Sequence, residues 1–213
     1  MGHIFGSDGP VINFLTKFGQ LVMLTVVWMI CCIPVFTVGA ATSAFYYAVT
    51  KSVRRDVGYP VREFFRSFRR TFRDGSIFTV LYLVWAALAY TNVRYLVHTS
   101  GKTNLILLMA YGVLAFFSAA LACYLFPALS RFDVSRTKLL KMAFYMTFSR
   151  LPQSILLVIV SAALLWVSTH YLPIACMAFI PGVWCYGATY IIEPALKRFY
   201  PEPEEGNTEW YDE

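Results

Sequence analysis

Residues 31–41 read CCIPVFTVGAA and stand inside a stretch, 18–49, that contains no charged residue. As one helix that stretch would be about 48 Å long at ~1.5 Å per residue, against a hydrocarbon core of roughly 30 Å. Pro34 supplies a break. It pushes Ile33 out of the helical region, and Val35, Phe36, Thr37 and Val38 favour extended backbone. Thr37 or Gly39 then opens a new helix. The stretch therefore predicts a tight hairpin joining a helix at about 11–32 to another at about 39–55. On the second helix Ala40, Ala44 and Ala48 recur at i, i+4 and i+8 beside Gly39 and Ser43. Small residues at that spacing let membrane helices approach closely, although plain core alanine gives the same pattern.

Outward from the hairpin the chain stays apolar. Hydrophobic residues make up 58% and charged residues 14%, with mean hydropathy +0.58, against an ordinary ~45–50% and ~25%. A soluble fold with this balance lacks the polar surface to cover itself, which points to an integral membrane protein. Apolar runs at about 76–96, 105–129 and 154–171 each suffice for a crossing of roughly 20 residues. A fourth, at 173–193, contains Pro181 and Gly182, and a kink is expected there, tolerated where neighbours satisfy the freed carbonyl. The expected fold class is an all-α polytopic transmembrane helix bundle of six crossings, or five if 11–55 is one tilted helix.

The net charge of +6 is unevenly placed. Residues 51–75 carry eight Lys/Arg against three acids, residues 130–150 carry five against one, and residues 202–213 carry six acids and no base. Basic charge confined to short loops between apolar runs is the positive-inside pattern. It assigns both basic loops, the carboxyl end near Lys197 and Arg198, and an acidic tail at 201–213 to the cytoplasm. The nearly uncharged loops at 98–102 and 170–172 then face outward. Nucleic acid is excluded as a partner, because no solvated basic domain is available to hold it. The amino end lacks the basic segment of a signal peptide, and its apolar run is too long for one, so it is expected to be retained.

Residues 62–75, REFFRSFRRTFRDG, pack five arginines and four phenylalanines together. At 100° per residue Phe64, Phe65, Phe68 and Phe72 share an arc of about 100°. Arg62, Arg66, Arg69, Arg70 and Arg73 share the opposite one. With Gly58, Tyr59 and Pro60 as a start and Asp74 and Gly75 as a stop, the segment predicts an amphipathic interfacial helix at 61–73. Its rings would dip into the acyl boundary and its guanidinium groups would meet anionic lipid, each charge contributing roughly 1 kcal/mol. The same arginines suit an acidic protein partner or an anionic ligand. The second basic loop, SRFDVSRTKLLKMAFYMTFSR at 130–150, has the same ingredients in a less regular order.

No catalytic site emerges. There is no H-E-x-x-H, G-x-S-x-G or Walker A motif, and His3, His98 and His170 lie apart. The five cysteines, at 31, 32, 123, 176 and 185, lack metal or redox spacing. No ionisable residue lies within 77–93, 105–129, 154–169 or 173–192, which argues against a proton-driven transporter. Glu193 sits at an edge, placed to pair with an arginine of the first basic loop. No cofactor and no metal are expected, and the protein is not expected to be an enzyme.

The segments FGSDGP at 5–10, CCIPVFTVGAATSAFYY at 31–47, KSVRRDVGY at 51–59 and FFRSFR at 64–69 together resemble the YesL family of uncharacterised bacterial membrane proteins. That resemblance implies a small multi-pass protein of the bacterial plasma membrane with no catalytic residues to carry over. It also implies an accessory or scaffold role beside carbohydrate uptake, with sugar-importer subunits as partners. The alternative is a small transporter or channel for a neutral solute such as a sugar, with Tyr46, Tyr47, Trp85, Tyr111 and Trp166 available to stack on sugar rings.

Overall fold

The computed structural model describes residues 10–98, 102–132, 134–170 and 180–196. Among them there is no β-strand. Seven α-helices follow one another: α1 (Pro10–Cys31), α2 (Val38–Ala48), α3 (Pro60–His98), α4 (Lys102–Arg131), α5 (Arg136–Ser149), α6 (Leu151–His170) and α7 (Ile180–Leu196). A 3-10 turn, Val35–Thr37, precedes α2, and a π-helical stretch, Val49–Arg54, prolongs it. The all-helical expectation holds, and the hairpin forms where Pro34 placed it.

Thr37 serves the helix before it rather than the helix after it. Its hydroxyl lies 2.6 Å from both the Cys31 and the Pro34 carbonyl oxygens, covering acceptors that the end of α1 leaves open. The start of α2 is capped from another helix. Gly39 N–H donates to Thr79 Oγ1 at 2.9 Å, and that hydroxyl donates to the Gly75 carbonyl at 2.7 Å. At the opposite end, Asp56 (φ 57°) and Gly58 (φ 81°) take left-handed backbone to reverse the chain into α3. Lys17 of α1 holds this turn through Asp56 at 2.8 Å.

Between α2 and α3 the backbones touch. A Cβ at Gly75 would lie 2.7 Å from Ala40 Cα, and one at Gly39 would lie 2.9 Å from the Gly75 carbonyl oxygen. Gly39, Ala40, Ser43, Ala44 and Ala48 are all buried. Ser43 Oγ donates to the Phe126 carbonyl of α4 at 2.8 Å, while Ala44 and Ala48 pack with Leu21, Leu24 and Phe64. A second core, around Tyr124, Leu139, Met146 and Leu196, joins α4, α5, α6 and α7.

One expectation changes. The sequence separated an interfacial helix at 61–73 from a crossing at 76–96, with Asp74 and Gly75 as the stop. Instead α3 runs unbroken for 39 residues, about 58 Å at ~1.5 Å per residue. Gly75 is no terminator, because its missing side chain admits α2. Contact across that surface offsets the ~1 kcal/mol that glycine costs a helix interior.

Six crossings are not confirmed. Among the described residues, only α3 and Leu105–Arg131 of α4 are long and apolar enough to span a membrane, with a third span if α5 and α6, bent by 97°, count as one. The hairpin tip meets α3 at Thr79 and α4 at Phe126. From there α3 continues to His98 with Val80, Leu81, Val84 and Leu88 exposed. The described helices thus supply two or three candidate spans. The predicted crossing at 173–193 is described only from Ile180, so the kink expected at Pro181 and Gly182 falls at the edge of the described residues. The tail at 201–213 and most of 5–10 lie outside them.

Candidate functional site

At the end where α2 turns into α3, the basic loops meet and their charges divide into a buried set and an exposed set. The buried set rests on two ion pairs. Arg131, the last residue of α4, lies 2.6 Å from Glu193 of α7, with side chains 1% and 3% exposed. Lys51 lies 3.0 Å from Glu63 of α3, each side chain 10% exposed. Tyr46 donates its hydroxyl to Glu193 at 3.1 Å. The ring of Tyr47 has Lys51, Arg70 and Arg131 at 5.6, 5.7 and 6.0 Å from its centroid, the outer reach of cation–π attraction.

Three further arginines end on backbone carbonyls rather than on carboxylates. Arg70 donates to the Ser130 carbonyl, one of the acceptors that the end of α4 leaves open. Arg150 reaches the Pro194 carbonyl at 3.4 Å. Arg54 donates to the Thr189 carbonyl at 3.1 Å and stacks 4.1 Å from the Tyr190 ring centroid. These contacts tie the extension of α2, α3, α4, the α5–α6 junction and α7 together at one end.

Glu193 does not pair with the first basic loop as expected. Its partner is Arg131 of the second loop, since the last turns of α4 and α7 lie side by side here. Sequence spacing carried no sign of this, because the two residues are 62 positions apart. The ion pair also brings charge into the buried interior, where hydropathy placed none.

The exposed set includes a row on α3, beside Arg136, Lys138 and Lys141 of α5. Arg62, Arg66, Arg69 and Arg73 are exposed at i, i+4, i+7 and i+11, which is one face of a helix. Among the described residues none of the four joins an ion pair. Arg70 leaves this face for Ser130 and Tyr47. The four phenylalanines divide as well. Phe64 is fully buried in the core and stacks on half-buried Phe68, whereas Phe65 and Phe72 are exposed. The single lipid-facing arc of rings is therefore corrected: the α2–α3 contact draws Phe64 inward, together with Ser67 and Thr71.

The remaining candidates do not converge. Among the described residues no three His, Cys, Asp or Glu side chains form a metal group, and Cys31, Cys32, Cys123 and Cys185 are free thiols. His98 is exposed at the end of α3. His3 and the side chain of His170 lie outside the described set. Tyr46 and Tyr47 are buried in the charged end, Trp85 sits against Tyr82 of α3, and Trp166 is exposed on α6.

Apolar helices of crossing length, closed at one end by buried ion pairs and flanked by an open arginine face, define a small helical membrane protein. Residues 21–93 match the family described as "Protein of unknown function, DUF624". Over 142 residues the chain is 25% identical to the uncharacterized protein YesL of Bacillus subtilis (strain 168). That match covers 65% of this chain and 66% of the relative, just under two thirds of its length. No solved structure matches. The resemblance drawn from the first 75 residues is borne out: the chain is similar to YesL and matches the DUF624 description over residues 21–93.

Proposed function

We propose that this protein is a non-enzymatic accessory or scaffold subunit of a bacterial plasma-membrane complex. Its α3 arginine face, on the cytoplasmic side, takes an acidic surface of a partner or the anionic lipid beside it. The observation that carries the proposal is the row Arg62, Arg66, Arg69 and Arg73, held exposed on a helix whose other face is locked into the core. A rigid row of guanidinium groups suits carboxylate and phosphate recognition. A subunit of a carbohydrate importer is the partner that the family resemblance favours.

The test is co-purification from membranes. Reversing all four arginines to glutamate should abolish recovery of the partner while the thermal melt stays close to wild type. Arg70 is left intact, because it holds the end of α4. Unchanged recovery with the four reversals refutes the docking face.

A further inference from the structure

Beside the hairpin tip, between α1, α2, α4, α6 and α7, lies a cavity of about 340 Å³. Trp28, Phe45, Phe126, Leu157 and Trp184 supply much of its wall, and no Asp, Glu, Lys or Arg lines it. Its hydroxyls are already committed. Thr42 donates to the Val38 carbonyl at 2.7 Å, Ser161 to the Leu157 carbonyl at 2.6 Å, and Tyr46 to Glu193 at 3.1 Å.

These walls decide what the space can hold. Protein interiors leave few voids larger than a water molecule, so a space this size calls for an occupant. Water stays only where it finds about two to four polar partners. A sugar needs a donor or acceptor for nearly every hydroxyl it brings, or it loses hydrogen bonds to solvent. The wall offers few, its hydroxyl protons being spent on the protein itself, whereas a hydrocarbon chain loses nothing on entering. The source of such a chain is adjacent: the outer faces of the same helices expose Val26, Met29, Ile30, Ile159 and Val183, an apolar surface suited to bilayer hydrocarbon.

We propose that this cavity is a binding site for one acyl chain of a membrane phospholipid, seated among the helices rather than on the outer surface. The site is independent of the arginine face, and it disfavours the passage of a sugar between these helices.

Native mass spectrometry of the full chain tests this. The protein is delipidated in mild detergent and then mixed with dioleoyl phosphatidylcholine. Wild type should retain one lipid. Ala188→Phe, which drives a ring from the wall into the cavity, should lower the ratio of bound to free protein about tenfold or more. Leu156→Phe, on the exposed face of α6, should leave that ratio unchanged. If Ala188→Phe fails to fold, the smaller intrusion Ser161→Leu should give the same direction of change. Retention by the filled variants equal to wild type overturns the proposal, as does wild type that binds no lipid. Because partner recovery is read separately, loss of one result leaves the other standing.

Discussion

The two basic segments, 60–75 and 131–150, share arginines and aromatic residues and are built in opposite ways. The first is the opening of a long helix and continues straight into an apolar span. The second breaks at Arg150, where φ is −130° and ψ is 47°, and α5 lies across α6 at 97°. Charge is sorted differently too. The first segment keeps its arginines exposed, whereas the second exposes Arg136, Lys138 and Lys141 but sends Arg131 into the core. Proline marks the difference in shape, with hydrogen bonds from Ser154 supporting the corner. α3 contains no proline after Pro60, so its hydrogen-bond ladder survives Gly75. Pro152 lacks the N–H that would continue α5 into α6, and it suits the first turn of a new helix. Similar composition thus gives a straight arm in one place and a corner in the other.

This contrast can be strained at several points, the most costly being the buried charge. Arg131→Met leaves Glu193 buried without its cation and should cost about 3–5 kcal/mol, whereas Arg66→Met on the open face should stay within about 0.5 kcal/mol. Unfolding in mixed micelles distinguishes the two, and equal losses would mean that Arg131 is solvated. Next comes the crossing at Gly75. Gly75→Leu forces a side chain into Ala40 and should cost about 1–3 kcal/mol or more, while the same change at Gly112, where an added Cβ would meet no neighbouring element within 4 Å, should cost little.

The corner itself should be robust. Ser154 N–H donates to the Arg150 carbonyl at 2.9 Å, and its hydroxyl lies 3.1 Å from the Thr147 carbonyl, so the bend has supports besides proline. Pro152→Ala should therefore cost less than about 1 kcal/mol and leave the bend in place. Spin labels on exposed Lys138 and Ile159 report it directly. A straight helix would separate those backbone positions by about 32 Å at ~1.5 Å per residue, and the bent chain should read well below that. The smallest expected effect is on stability at the open face. Each single Arg→Glu change at 62, 66, 69 or 73 should leave the melt nearly unmoved yet weaken attachment to anionic vesicles by roughly 1 kcal/mol. Flotation with and without anionic lipid measures it.

Much of this was legible in the residues themselves. Pro34 marked the hairpin, the small residues of α2 marked a close-packed face, and the arginine spacing marked an exposed stripe. Gly75 was misread as a stop because an isolated glycine looks the same in sequence whether it ends a helix or admits a neighbour. Phe64 and Arg70 were misassigned for a related reason: periodicity gives a face but not what that face meets. The Arg131–Glu193 pair left no local signal at all.

Composition and hydrophobic periodicity, acting over one or two helical turns, were enough to determine an all-helical membrane protein, its hairpin and the placement of its charge in two loops. Tertiary contact alone decided that α2 would lie against Gly75, that α3 would run through, and that Arg131 would find Glu193. Those outcomes depend on which helix ends lie side by side, and distance along the chain does not encode that.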